Sequence, residues 1–211
     1  MKTEKFIKLF EEYNAHTNLM SKNDVQKLRE KHIPDSLAIE VFFEKYGLPK
    51  NIADIGTGGG FPSIPIALSF SDIEVFAIDS IAKKIKFVEM VKKELSLENL
   101  HPICTRIEDF EKKGAFEVVT TRALADLRVI AEYSAPFVKK GGYFVAYKSK
   151  GADEELSQAE RALKILGLEF VEKMEYSLEE ETERCLMVFR KVKNTPKIYP
   201  RKNNLARKNP L

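Results

Sequence analysis

The 211-residue chain has only two cysteines and three histidines, and it has no long apolar run. No stretch approaches the roughly 20 consecutive apolar residues that a bilayer-spanning helix needs, so no membrane association is predicted. The amino-terminal stretch MKTEKFIKLFEEYN is charged throughout and lacks the apolar centre of a secretory leader. Cys104 in HPICTRI and Cys185 in ERCLMVF are isolated and sit in apolar surroundings. That spacing supplies neither a metal pair nor a disulfide framework, and predicts two buried thiols in a reducing cytoplasm, with no metal. His16 and His32 fall in amino-terminal helical segments and His101 at a strand start, positions that read as structural. There is no internal repeat, and no low-complexity segment before the carboxyl-terminal tail.

What is present is an ordinary globular composition, 44% hydrophobic and 32% charged, in a chain long enough to bury a sizeable core. The net charge of +3 is unevenly placed. The last 19 residues hold Lys193, Lys197, Arg201, Lys202, Arg207 and Lys208 and no acid, which leaves residues 1–192 at −3. A basic tail with three prolines is a poor core former and predicts an extended arm for a polyanion. Lys197, Arg201, Lys202, Arg207 and Lys208 are its candidate RNA contacts, and such an arm should not affect a small-molecule site on the body.

Hydrophobic spacing predicts helix over 4–13, with Phe6, Leu9, Phe10 and Tyr13 on one face, and further helix over 24–46 interrupted near Pro34. From residue 51 strands and helices alternate: NIADI, EVFAID, LHPICT, FEVVTT and GYFVAYK as strands, the last following a Gly141–Gly142 turn, with helices between. EFVEKMEYSL and ERCLMVFRK follow a final helix as two strands with a short connection. Alternation implies a parallel, doubly wound α/β sheet, and the last two strands an antiparallel pair at one edge. The expected division is a helical extension over 1–48, a seven-stranded domain over 49–192 and the basic tail over 193–211.

The informative stretch is DIGTGGGFPSIP, residues 54–65. A glycine turn between a first strand and a helix marks a nucleotide site in such folds. A dinucleotide fingerprint needs a third glycine where Phe61 stands; the chain offers Gly56, Gly58 and Gly60 instead. Pro62 and Pro65 remove helix-start donors that a pyrophosphate would use, whereas S-adenosyl-L-methionine has no phosphate to lose. Asp79 ends the second strand, where a carboxylate can accept from both ribose hydroxyls. The third strand runs into Arg106–Asp109, where a side chain can meet the adenine. A methyl-donor site is therefore favoured over a nicotinamide oxidoreductase.

The acceptor is read mainly by elimination. No Asn/Asp-Pro-Pro-aromatic run positions an amine, and no Pro-Cys loop supplies a nucleophile. Arg122 stands after the fourth strand, a cation suited to a phosphate or a base edge, with a structural salt bridge as its alternative role. A ring nitrogen with a free lone pair, such as guanine N7, needs no general base. A non-catalytic RNA-binding protein of the same fold stays open on these grounds.

D-I-G-T-G-G-G-F-P-S-I-P-I-A-L, D-S-x-x-K-K-x-x-F at 79–87, R-I-E-D at 106–109 and T-R-A at 121–123 together resemble the RsmG (GidB) family. N-x-x-x-N-L at 14–19, H-I-P-D-S-L at 32–37 and the T-P-K-I-Y-P-R-K tail ending in K-N-P-L extend the resemblance over essentially the whole chain. It implies a Rossmann-like class I methyltransferase using S-adenosyl-L-methionine on guanine N7 of bacterial 16S rRNA, with the small ribosomal subunit as partner. It further implies donor contacts at Gly56, Phe61, Ile107, Glu108 and Arg122, with Asp79 on the ribose and Gly58 and Gly60 lining the turn. Because the donor needs only one chain, a monomer is expected. Ser63 departs from the pattern, since family members usually carry glycine there.

Overall fold

The computed structural model describes residues 2–178 and 181–211, without the side chains of Glu181 and Thr182. The connection expected between the last two strands lies partly outside the described residues.

Apolar residues at helical spacing build α1 (Lys2–Thr17), which buries Phe6, Ile7 and Phe10. Ser21 caps α2 (Lys22–Gln26) by accepting from the Asp24 amide. A π-helical turn, Leu28–His32, leads into α3 (Ile33–Leu37), where Pro34 lies in the first turn, and α4 (Glu40–Tyr46) ends at Gly47. The break expected near Pro34 is thus a helix start: proline lacks the N–H that the first turn leaves unpaired.

The alternating region gives β1 (Asn51–Ile55), α5 (Ser63–Ser69), β2 (Glu74–Asp79), α6 (Ala82–Leu95), β3 (Leu100–Cys104), β4 (Phe116–Arg122), α7 (Leu127–Ser134), β5 (Val138–Ser149), α8 (Ala152–Leu166), β6 (Leu168–Leu178) and β7 (Glu181–Lys191). The sheet order is β3-β2-β1-β4-β5-β7-β6. β1 to β5 are parallel, and β7 lies antiparallel between β5 and β6. The expected pair therefore stands at one edge, with β7 one place in from it. Gly141 and Gly142 do not form a turn before β5; they lie inside it, where the register to β4 shifts between Phe116 and Val118. A Cβ on Gly142 would meet the Glu117 carbonyl oxygen at 2.5 Å, so the bulge requires glycine there.

Each face of the sheet buries its own cluster. On one, Phe6, Phe10, Phe42, Phe61 and Phe87 bind the amino-terminal helices to the sheet. On the other, Ile130, Phe137, Phe144, Leu163 and Phe189 pack α7 and α8. The tail joins this second cluster. Ala206, in α9 (Leu205–Lys208), is fully buried, and Tyr199 and Leu211 pack beside it. The extended free arm expected from its prolines is corrected: residues 199–211 are laid against α7. Among the described residues no helix is long and apolar enough to cross a membrane.

Candidate active site

Strand order reverses at β1, whose neighbours are β2 and β4, and the carboxyl ends of these strands open into a crevice. Two cavities occupy it. The first, about 270 Å³, is lined by Gly56 after β1, Ile78–Ile81 at the end of β2, Thr105–Glu108 after β3, Leu124 after β4, Tyr133 of α7, and Asn204 and Arg207 of the tail, among others. The second, about 330 Å³, is lined by His32 and Asp35, Arg122–Ala125, Tyr147–Ser149 and Arg184, among others. Leu124 is common to both.

The glycine turn is held by buried polar groups. Gly56 has φ +76°, and a Cβ there would stand 2.7 Å from Leu124 Cδ1, so only glycine lets Leu124 lie over the turn. Beneath it Asp54, fully buried, accepts from the Ser63 hydroxyl at 2.6 Å, while Ser63 and Thr57 hydroxyls lie 2.8 Å apart. Burial raises the Asp54 pKa to about 6 against the lowering effect of these hydrogen bonds. Ser63, the departure from the family pattern, thus supplies a hydroxyl to an otherwise costly buried carboxylate and leaves the turn's outer side clear.

Asp79 is fixed by its own backbone neighbours. One carboxylate oxygen accepts from Gly58 N–H at 3.0 Å and the other from Ile81 N–H at 2.9 Å; Lys84 stands 3.6 Å away. Each oxygen keeps a further lone pair for a diol. Ile107 and Glu108 form a short 3₁₀ turn on the same cavity. An acidic group for ribose, apolar isoleucines for a purine and a glycine floor fit an adenosyl group.

Other anticipated donor residues lie elsewhere. Phe61 does not line this cavity; it is 4% exposed, with its ring 5.6 Å from Phe6 and 5.5 Å from Phe10. The apolar face of α1 needs a partner on the sheet, and Phe61 provides it. Gly60 is buried behind the turn against Ile64. Arg122 belongs to the second cavity: its Nη1 donates to Asp35 at 2.6 Å, and its guanidinium covers the Phe61 ring at 5.2 Å. Asp35, 2% exposed, also accepts from the Tyr176 hydroxyl at 2.7 Å. Arg122 Nη2, a donor only, lies 3.4 Å from His32 Nδ1, which leaves the His32 proton on Nε2. Burial, then the Arg122 charge, lowers the His32 pKa to about 4, so the ring is neutral at pH 7 and offers no strong base.

Two further expectations are corrected. Cys104 is exposed, because it ends an edge strand; Cys185 is buried, and burial raises its pKa. Arg201 is no outward contact: its Nε and Nη2 bond the carboxylate of Glu132, which is fully buried, at 2.9 and 2.5 Å. Lys197, Lys202 and Lys208 remain exposed, and Arg207 faces the first cavity. Sequence reading missed Asp35, Tyr133, Asn204 and Tyr176. Only Asp35 carried a signal, within H-I-P-D-S-L.

The family model for rRNA small subunit methyltransferase G (GidB) matches residues 1–187. The ribosomal RNA small subunit methyltransferase G of Lysinibacillus sphaericus is 38% identical over 213 residues, covering 99% of this chain and 89% of that protein. Its counterpart in Desulfitobacterium hafniense is 40% identical over 95% of this chain and 84% of that protein. Among solved structures, an S-adenosyl-L-methionine-dependent methyltransferase from Aquifex aeolicus superposes with TM-score 0.59 at 15% identity, over 80% of this chain and 98% of that one. Family model, full-length relatives and sheet order agree: this chain belongs to the rRNA small subunit methyltransferase G family.

Proposed function

We propose that the chain transfers a methyl group from S-adenosyl-L-methionine to N7 of a guanine in bacterial 16S rRNA, with the donor in the first cavity and the guanine in the second. The observation that carries this reading is that the cavities adjoin at Leu124 and that the second holds cations, Arg122 among them, beside a histidine too weakly basic to act as a general base. Asp79 would take the ribose, Ile107 and Glu108 the adenine side, and Gly56 the floor. The donor supplies an electrophilic methyl group. The protein's own residues bind and align: Arg122, held by Asp35 and backed by Phe61, is fixed to meet a phosphate or the guanine O6 edge. Guanine N7 carries no proton, so a neutral His32 suffices and catalysis is positioning. Nothing in the described site requires a second chain.

The decisive experiment incubates the protein with a labelled methyl donor and small ribosomal subunits, then maps the modified base. Label at a guanine N7 supports the reading. Label at an exocyclic amine or a carbon would assign a different acceptor, and no incorporation would favour a non-catalytic RNA-binding role.

A further inference from the structure

The tail was expected to ignore the small-molecule site, yet two of its residues form part of that site's wall. Asn204 and Arg207 line the first cavity with Gly56, Asp79 and Glu108. Their placement is built in. Arg201 bonds buried Glu132 of α7 through its backbone N–H and guanidinium, Lys113 donates to the Tyr199 carbonyl at 2.9 Å, and Ala206 is fully buried. Asn204 adopts φ +60°, a conformation asparagine tolerates better than most residues, and accepts from the Tyr133 hydroxyl at 3.1 Å. Arg207 Nη2 donates to the Leu124 carbonyl at 3.2 Å.

That last contact locates the guanidinium. Leu124 follows β4 and lies over Gly56, at the end of the cavity away from the nucleoside wall made by the β2 and β3 ends. A donor with its ribose on Asp79 extends its amino-acid end along the glycine turn toward Leu124. We infer that Arg207, held over the cavity by the folded tail, binds the α-carboxylate of the donor's amino-acid end. A guanidinium has five N–H groups, so the bond to the Leu124 carbonyl and the interaction with the Tyr133 hydroxyl still leave N–H groups of its planar fork for a carboxylate. The inference rests on the first cavity being the donor site.

Calorimetric titration with two ligands tests it. S-adenosyl-L-homocysteine has the amino-acid carboxylate, and 5′-methylthioadenosine shares the nucleoside but lacks it. Arg207→Ala should weaken S-adenosyl-L-homocysteine roughly five- to thirtyfold, the range of a charge-assisted hydrogen bond at a partly exposed site. Binding of 5′-methylthioadenosine should change less than about twofold, and the melting temperature by no more than a few degrees. Arg161→Ala, the same charge change on an exposed position of α8, should leave both ligands alone. Equal loss with both ligands would place Arg207 on the nucleoside and overturn the carboxylate assignment. No loss with either would remove the tail from the site. Asp79→Ala should weaken both ligands; if it weakens neither, the cavity is not the donor site, and the inference falls for that separate reason.

Discussion

Arg122 shows how a residue can be found in sequence and its partners missed. Its place after a strand at the sheet's carboxyl edge was legible, but Asp35 lies 87 residues away on a short helix and no periodicity pairs them. The pair is buried, so removing one partner strands the other's charge, at a cost of about 3–5 kcal/mol. Arg122→Ala should therefore abolish methylation and also lower the melting temperature by roughly 10 °C, at about 2–4 °C per kcal/mol for a chain of this size. Arg122→Ala combined with Asp35→Ala should recover much of that temperature. If methylation returns with it, Arg122 is only a strut; if it stays absent, Arg122 acts on substrate. Asp54 makes a pH prediction. Its folded pKa of about 6 lies above the ordinary 3.8, so its contribution is fully present below pH 3.8 and is lost as pH rises through 6. Relative to Asp54→Asn, the wild type should gain about 2 kcal/mol between pH 7.5 and 4.5. His32, with a depressed pKa, acts oppositely in both proteins and cancels from the difference. A flat difference in melting temperature across that range would refute the burial argument.

At the scale of elements, what the sequence disclosed were those whose signal is local. The β1 and β2 bounds follow from short apolar runs ending at glycine or aspartate, and α8 from its apolar spacing between Gly151 and Gly167. The elements misread were decided by partners. The Gly141–Gly142 pair looks like a turn until β4 pairs with both sides of it. The tail looks like an arm because its charges and prolines are local facts, whereas its partner Glu132 lies 69 residues from Arg201. Glu132 is 0% exposed, against an expectation that a charged helix residue faces water. Arg201→Met should thus strand a buried carboxylate and destabilise the fold by about 3 kcal/mol, lowering the melting temperature by roughly 6–12 °C. Restoration by Glu132→Gln in the same chain would confirm the pair, and an unchanged temperature in the single variant would show that it contributes nothing to docking the tail.

For the whole molecule, the opposition between a body at −3 and a tail at +6 survives folding, but the charge available to RNA shrinks. Arg201 is committed to Glu132 and Arg207 faces the first cavity. Lys193 at the start of the tail is exposed, as are Lys197, Lys202 and Lys208 further along; Lys202 has Asp109 at 3.3 Å, a surface pair that a phosphate can displace at little cost. Lys202 and Lys208 belong to the docked segment and Lys197 leads into it, so these cations are held by the fold, and a held segment can present them to RNA in one register where a free arm could not. Each phosphate neutralised on a single strand adds about 0.7 to the dependence of log affinity on log salt. Replacing Lys197, Lys202 and Lys208 with alanine should therefore flatten the salt slope of rRNA binding by about 2, well short of the roughly 4 expected had all six cations engaged. Because none of the three lines the first cavity, S-adenosyl-L-methionine affinity measured without RNA should stay within about twofold. Filter binding at several salt concentrations gives the slope. A slope that does not change would move the RNA surface off the tail, to the body cations that line the two cavities: Lys84 and Arg106 in the first, and Lys31, Arg122, Lys148 and Arg184 in the second.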